Sequence, residues 1–352
     1  MMKVQSLQTR SLISGDTLTI PYYQWQGGEG PSVYIQAGIH GQEHMGYGVA
    51  LCLIEHFKKY PPKGSVTIVP KANPYGMNVK MGDTTYGRFD PTTGANWNRN
   101  YVNWLNDPEA FVFKHKGASW FEVKKALKEV GVKSLERKGE QSYQNKLANQ
   151  LQNLAVQHDV FLDLHCDGVS LPYVYCQDYA LDYARRLGFD YHLTASCHFK
   201  ESFDDAIIYP FWTVFEKMGF PIAQMDMMSF TLELGSKEFF DLKKCQEYAE
   251  RIVRFVSSPY EKEPHNSKQQ FCHKNELITI YSPRAGMLFG FTSLGKLVLA
   301  GEPLCFLLVT HNSDCSLDDR IIPITYHLPC TPIARTPAGS VHEGVSILSC
   351  VL

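Results

Sequence analysis

The sequence predicts an α/β protein, with a mixed, mostly parallel sheet flanked by helices and a small all-β domain after it. Three observations carry that prediction. Short β-branched runs alternate with helical stretches up to about residue 256. A polar, proline-containing stretch, 257–270, then interrupts the pattern. Beyond it the chain reads as short apolar runs punctuated by Gly and Pro turns, with no helix signal. Alternation of strand and helix favours parallel crossovers, whereas even short strands with turn residues favour a sandwich or barrel. The expected division is therefore an α/β unit over 1–256, a linker over 257–270 and a β-domain over 271–352, in a chain of 352 residues.

Taken in order, residues 1–30 read as a hairpin-like lead-in ending in Gly27-Gly28-Glu29-Gly30-Pro31. Ser32 to Ala37 is an apolar strand, residues 45–59 an amphipathic helix, and Ser65 to Pro70 a second β-branched strand. The stretch from about 102 to 156 is polar and helix-prone. Phe121, Val123, Leu127 and Val130 recur at spacings of two to four, and Tyr143, Leu147, Leu151 and Leu154 at helical spacing. It reads as a helical insertion, suited to a lid, an oligomer contact or a peripheral helical pair. The α/β pattern resumes with the buried strand Val160 to Leu164, a helix over Leu181 to Leu187, a strand over Ser229 to Leu234 and a helix over Leu242 to Val256. Ser282-Pro283-Arg284-Ala285-Gly286, Leu294-Gly295-Lys296 and Ala300-Gly301-Glu302-Pro303 supply the turns of the tail.

Composition excludes several classes. Lys+Arg 34 against Asp+Glu 36 gives a net charge of −2, with no basic run beyond short pairs, so nucleic acid has no electrostatic footprint. No apolar run approaches the roughly 18–20 residues that span a bilayer, so no membrane association is expected. The polar N-terminus, broken by Ser14-Gly15-Asp16, does not read as a signal peptide. The 10 cysteines are scattered singly with no CxxC, which suits reduced thiols in the cytoplasm better than a disulfide framework.

Chemistry concentrates where strands end. His40 and Glu43 lie three residues apart in Gly38-Ile39-His40-Gly41-Gln42-Glu43-His44, directly after the first strand. Imidazole and carboxylate at such a turn can address one borderline cation such as zinc at about 2 Å. His165 follows the strand Val160 to Leu164 and is the natural third ligand, because groups that bind ligands gather beyond the carboxyl ends of α/β strands. Two His and one Glu leave a fourth position open, the pattern of a catalytic rather than a structural centre. Glu233, flanked by leucines in Leu232-Glu233-Leu234-Gly235, is costly to desolvate and reads as a general base. Arg88 and the pair Asn98-Arg99 sit in donor-rich, aromatic surroundings and suit a carboxylate clamp.

His40-Gly-Gln-Glu43, Asn73-Pro74, Arg88, Asn98-Arg99, Asp163-Leu-His165 and Glu233-Leu-Gly, in this order, resemble the succinylglutamate desuccinylase/aspartoacylase family, within the wider zinc carboxypeptidase-like group. The resemblance covers roughly 30–256, and the tail is similar to the small C-terminal domain of such deacylases. It implies a zinc carboxypeptidase-like fold with one zinc ion held by His40, Glu43 and His165. It further implies that Glu233 activates water, that Arg88 polarises the scissile carbonyl and the developing oxyanion, and that Asn98 and Arg99 grip the substrate's free carboxylate. The implied partner is a small carboxylate, and self-association is left open. One departure stands out: Asn96-Trp97-Asn98-Arg99 replaces the usual Asp-Leu-Asn-Arg, and the bulky Trp97 is expected to reshape the pocket.

The function expected is removal of an acyl group from an N-acylated amino acid or similar small carboxylate by hydrolysis of a linear amide. A metallocarboxypeptidase acting on short peptides is the alternative within this chemistry, since the same clamp holds a C-terminal carboxylate. A non-catalytic zinc- or ligand-binding module is the alternative of another class. The presence of both Glu233 and Arg99 argues against it. His40-x-x-Glu43-His44 also matches the inverted zinc-protease motif, which needs all three residues on one helix. The glycines inside the motif argue against a helix there. Cys166, beside His165, reads as a wall residue rather than a nucleophile, and His192 and His198 as loop or surface histidines.

Overall fold

The computed structural model describes residues 2–28, 30–136, 142–264, 269–310 and 316–352. Its centre is a nine-stranded sheet ordered Met2–Ser11, Thr17–Trp25, Ser65–Val69, Ser32–Ala37, Val160–Asp167, Met228–Ser236, Tyr173–Gln177, Tyr191–Ala195 and Gln270–His273. The four strands Ser65–Val69, Ser32–Ala37, Val160–Asp167 and Met228–Ser236 run parallel to one another. The N-terminal hairpin pairs antiparallel with Ser65–Val69, so the lead-in is built into the sheet rather than set apart from it. Central strands covered on both faces read as continuous apolar runs, and Val33, Ile35, Leu162, Leu164, Phe230 and Leu232 are all buried.

Helices cover both faces. On one, His44–Lys59 and Leu242–Ser257 pack Val49, Leu53, Ile252 and Phe255 against the sheet. On the other, Phe203–Lys217 joins the predicted insertion, which forms Pro108–Lys114, Trp120–Glu136 and Tyr143–Ala155. Each fully buried aliphatic or aromatic side chain in these layers stabilises the fold by roughly 1.5–3 kcal/mol. The inward face of the middle insertion helix runs through Trp120, Val123 and Leu127, while Phe121 is 72% exposed. A helix turns 100° per residue, so Phe121 cannot share the face of Val123, and Trp120, three residues before it, does.

The tail forms two four-stranded antiparallel groups. Ile278–Tyr281, Ser346–Val351 and Thr331–Arg335 make one, and Gly286–Phe289, Pro303–Leu308, Ile321–Thr325 and Gly339–Val341 the other. The first group is completed by Val169–Ser170, which follows Val160–Asp167 in the α/β unit. In the opposite direction, Gln270–His273 pairs in parallel with Tyr191–Ala195 and becomes the edge of the main sheet. Each unit thus lends the other a strand. Residues 265–268 of the expected linker lie outside the described residues. Among the described residues no helix is long and apolar enough to cross a membrane, and the nine described cysteines are all free thiols.

Candidate active site

Three parallel strands place three of the candidate site residues side by side. His40 lies in the turn after Ser32–Ala37, His165 near the carboxyl end of Val160–Asp167, and Glu233 opposite His165 on the neighbouring strand. Gly41 lets the His40 turn pass close to a second loop: its N–H donates to Gly87 O at 2.9 Å, and a Cβ there would lie 2.2 Å from Gly76 O. The second loop is closed by an antiparallel bridge between Phe89 and Asn96. That closure brings Arg88 next to Asn96–Arg99, although they are separated in sequence.

His40, Glu43 and His165 are buried, and one ligand atom from each lies within 4.8 Å of the others. Glu43 occupies the N-cap position of the His44–Lys59 helix, but its side chain makes no capping bond there. Its Oε1 is 2.8 Å from His40 Nδ1, and its Oε2 is 2.8 Å from His165 Nδ1. The outer nitrogens fix the tautomers. Asn96 Oδ1 accepts the backbone N–H of Asn98 at 2.9 Å, which identifies it as oxygen, and it lies 2.9 Å from His40 Nε2. His40 Nε2 therefore carries the proton. Asp163 Oδ2 is 2.8 Å from His165 Nε2, while Asp163 Oδ1 accepts from Gln36 Nε2 at 3.0 Å, so His165 Nε2 is likewise the donor. With Nε2 donating in each ring, both inner Nδ1 atoms converge on the Glu43 carboxylate, an arrangement that a cation among them would satisfy. The donor set fits a metal ion.

The electrostatics differ between the two rings. Burial alone would raise Glu43, but the His40 and His165 rings outweigh it and hold its carboxyl well below the usual range. Burial opposes a charge on His165 too, yet the Asp163 and Glu43 carboxylates prevail and raise its pKa. His40 goes the other way: burial lowers its pKa despite Glu43, so a proton is a poor occupant of its inner nitrogen. Arg88 Nη1 approaches Glu43 Oε1 at 3.4 Å and His40 Nδ1 at 3.5 Å.

All seven predicted residues (His40, Glu43, Arg88, Asn98, Arg99, His165 and Glu233) line one cavity of about 300 Å³. Glu233 Oε2 is sealed from solvent with no hydrogen-bond partner. Burial, with Glu43 and Asp167 nearby, pushes the Glu233 carboxyl well above its ordinary pKa, only partly offset by His165 and Arg88. Asn98 Oδ1 accepts the N–H of Phe203 at 3.1 Å, and its Nδ2 lies 3.4 Å from His165 Nε2. Arg99 Nη1 donates to Asn98 O at 2.6 Å. The far wall is polar, with Gln177, Ser196, Lys200, Asp204, Asp205 and Lys274.

Other residues fall where their chemistry allows. His40 precedes the helix and His44 begins it, so the inverted-protease geometry is absent. Cys166 lines the cavity, and burial with Glu43 and Glu233 nearby keeps its thiol protonated. Trp97 does not enter the cavity. It is buried in the second core cluster with edge contacts to Tyr75 and Tyr143, so it anchors the clamp loop to the insertion. No described residue of 102–156 lines the cavity. His192 is buried within its strand, and His198 borders a different cavity. Sequence reasoning gave Asp163 no role beyond its place in the Asp163-Leu-His165 motif, where a polar residue two before a ligand was the available signal, and it did not connect Asn96 with His40.

A family model described as succinylglutamate desuccinylase/aspartoacylase catalytic domain matches residues 29–258. The crystal structure of a succinylglutamate desuccinylase/aspartoacylase family protein from Shewanella amazonensis SB2B is 30% identical, with TM-score 0.91, covering 99% of this chain and 98% of that one. A protein of the same description from Shewanella frigidimarina NCIMB 400 is 31% identical, with TM-score 0.91 and coverage of 99% and 97%. The product-bound ectoine utilization protein EutE (DoeB) from Ruegeria pomeroyi shares the fold at TM-score 0.67 and 15% identity, covering 100% of this chain and 95% of that one. No curated protein matches the sequence. With the family model spanning most of the α/β unit and relatives that superpose over nearly the whole chain, this protein belongs to the succinylglutamate desuccinylase/aspartoacylase family.

Proposed function

We propose that this protein is a zinc-dependent hydrolase that removes the acyl group from an N-acylated amino acid or a similar small carboxylate by cleaving a linear amide bond. The family is one of hydrolases and deacylases, which supports an enzyme. The observation that carries the zinc reading is the convergence of the His40 and His165 Nδ1 atoms on the Glu43 carboxylate, each ring held from behind by an acceptor. His40, Glu43 and His165 would hold the ion. Zinc at such a centre lowers the pKa of water towards about 7 and polarises a carbonyl.

The remaining work falls to the chain's own side chains. Glu233, which lines the cavity, accepts the proton of the attacking water and returns it to the departing amine nitrogen. Arg88, beside Glu43 and His40, faces the negative charge that develops on the carbonyl oxygen. Asn98 and Arg99 bind the free carboxylate, the amide as a neutral donor and the guanidinium as a charged fork. The cavity volume, about 300 Å³, is at the small end for ligand sites and suits a small molecule better than an extended peptide.

A hydrolysis screen over N-acyl amino acids and dipeptides, with and without added zinc, tests this reading. Release of a free amino acid from at least one N-acyl substrate, dependent on zinc, is expected. Cleavage of dipeptides alone would move the assignment to a carboxypeptidase, and no cleavage by protein holding one zinc would reject the hydrolase.

A further inference from the structure

A second cavity, of about 230 Å³, lies at the seam between the α/β unit and the C-terminal sheets. From the α/β unit it is lined by Arg88, Cys166, Asp167, Gly168 and Lys237, and from the tail by the segments 334–337 and 346–349. Arg88, Cys166 and Asp167 also line the active-site cavity, so the two spaces share a wall.

The charges in this cavity do not balance internally. Its cations are Arg88, Lys237 and Arg335, and its one carboxylate is Asp167. Asp167 is already engaged by neutral donors: Oδ1 accepts from Gly168 N at 2.7 Å and Oδ2 from the Tyr173 hydroxyl at 2.8 Å. Among the described residues, neither Lys237 nor Arg335 has a carboxylate within ion-pair distance, and the carboxylate beside Arg88 is the candidate metal ligand Glu43.

Arg335 is also held in place, as a recognition residue needs to be. Its backbone pairs antiparallel with Val169 and its neighbour Ala334 with Ser170. Its guanidinium lies over the Phe291 ring at 4.4 Å, and Nη1 donates to Thr336 O at 2.9 Å. Gly168 permits the close seam, since a Cβ there would lie 2.6 Å from Arg335 O. A guanidinium fixed by stacking, with edge donors remaining, matches a planar carboxylate.

We propose that this seam is a second anion site, in which Lys237 and Arg335 bind the carboxylate of a small organic acid next to Arg88. The assignment does not depend on which amide the active site cleaves. Because Arg88 borders both cavities, an acid bound at the seam adjoins the reaction centre without occupying the Asn98-Arg99 clamp.

Calorimetric titration of the full-length, zinc-loaded protein with succinate, and separately with inorganic phosphate, tests the proposal. Wild type should bind succinate, and Lys237→Gln/Arg335→Gln should weaken that binding by about tenfold or more, the worth of losing charge-assisted hydrogen bonds. Arg99→Gln should leave the Lys237/Arg335-dependent binding in place. Phosphate bound more tightly than succinate would overturn the carboxylate assignment. Equal succinate affinity in wild type and the double variant, or no binding at 10 mM-scale concentrations, would overturn the site. Should the double variant lose its thermal transition, Arg335→Lys, which keeps the charge but not the fork, is expected to fold and to bind succinate more weakly than wild type. Unchanged affinity in that variant counts against the proposal.

Discussion

His40 and His165 are ordinary in type and unusual in how their outer nitrogens are held. An amide oxygen stands behind one ring and a carboxylate behind the other, and Asn98 N–H and Gln36 orient those two groups in turn. Such partners fix the tautomer and sharpen the ligand, and losing one typically costs 10–100-fold in metal affinity. Asn96→Ala and Asp163→Asn are therefore each expected to weaken zinc binding by about one to two orders of magnitude, read by competition with a coloured chelator. Unchanged affinity would mean that the outer contacts do not set the ring protons. The candidate ligands were legible in sequence, because His40 and Glu43 follow one strand and His165 lies near the carboxyl end of another. Asn96 was not: its oxygen faces His40 only because a backbone N–H two residues on turns the amide. That orientation has no signature in residue type or spacing. Nor could spacing pair Lys237 with Arg335, which line one cavity from two different units.

At the level of elements, the strand and helix periods read well and the junctions less so. The alternation of strand and helix, the insertion and the β-rich tail appear as the patterns imply, whereas the strands Tyr173–Gln177 and Tyr191–Ala195 and the helix Phe203–Lys217 were not read from the sequence. The edge strand Gln270–His273 escaped because a four-residue strand after a polar stretch resembles the start of the next unit. Trp97 was expected to shape the pocket, but a large ring gains more by joining the Tyr75 and Tyr143 cluster than by facing a polar cavity. The segment between the last insertion helix and the Val160–Asp167 strand carries a pH dependence of its own. His158 is buried and neutral, its Nδ1 donating to Ala155 O at 3.2 Å and its Nε2 2.9 Å from the Thr67 hydroxyl. Burial, helped by Lys128, lowers its pKa to about 4. The unfolded chain takes up this proton near the ordinary value of 6.5 and the folded one does so only near 4, so the group costs stability as pH falls between those values. Above pH 6.5 it contributes nothing to the slope. The loss by pH 4 is on the order of 3 kcal/mol, and His158→Gln should remove that part of the slope in urea unfolding measured from pH 4 to 7. An identical slope in the variant would locate the acid sensitivity elsewhere.

Across the whole molecule, two units exchange strands, and the candidate metal centre sits at the carboxyl ends of the central strands close to their seam. A ligand that binds only the folded chain stabilises all of it, by about 4 kcal/mol at a thousandfold excess over Kd. Zinc-loaded protein should accordingly melt well above protein stripped with a chelator, and the gap should close in His165→Ala. A gap that persists in that variant would place the bound ion somewhere else. The central claim is that Glu233 moves the proton in an amide hydrolysis at a zinc centre built from His40, Glu43 and His165. The most direct measurement compares hydrolysis of an N-acyl amino acid by wild type and Glu233→Gln at equal zinc content. Equal zinc with turnover lower by about 10²–10⁴-fold in the variant is the expected result. A variant that holds zinc and turns over at the wild-type rate would contradict it.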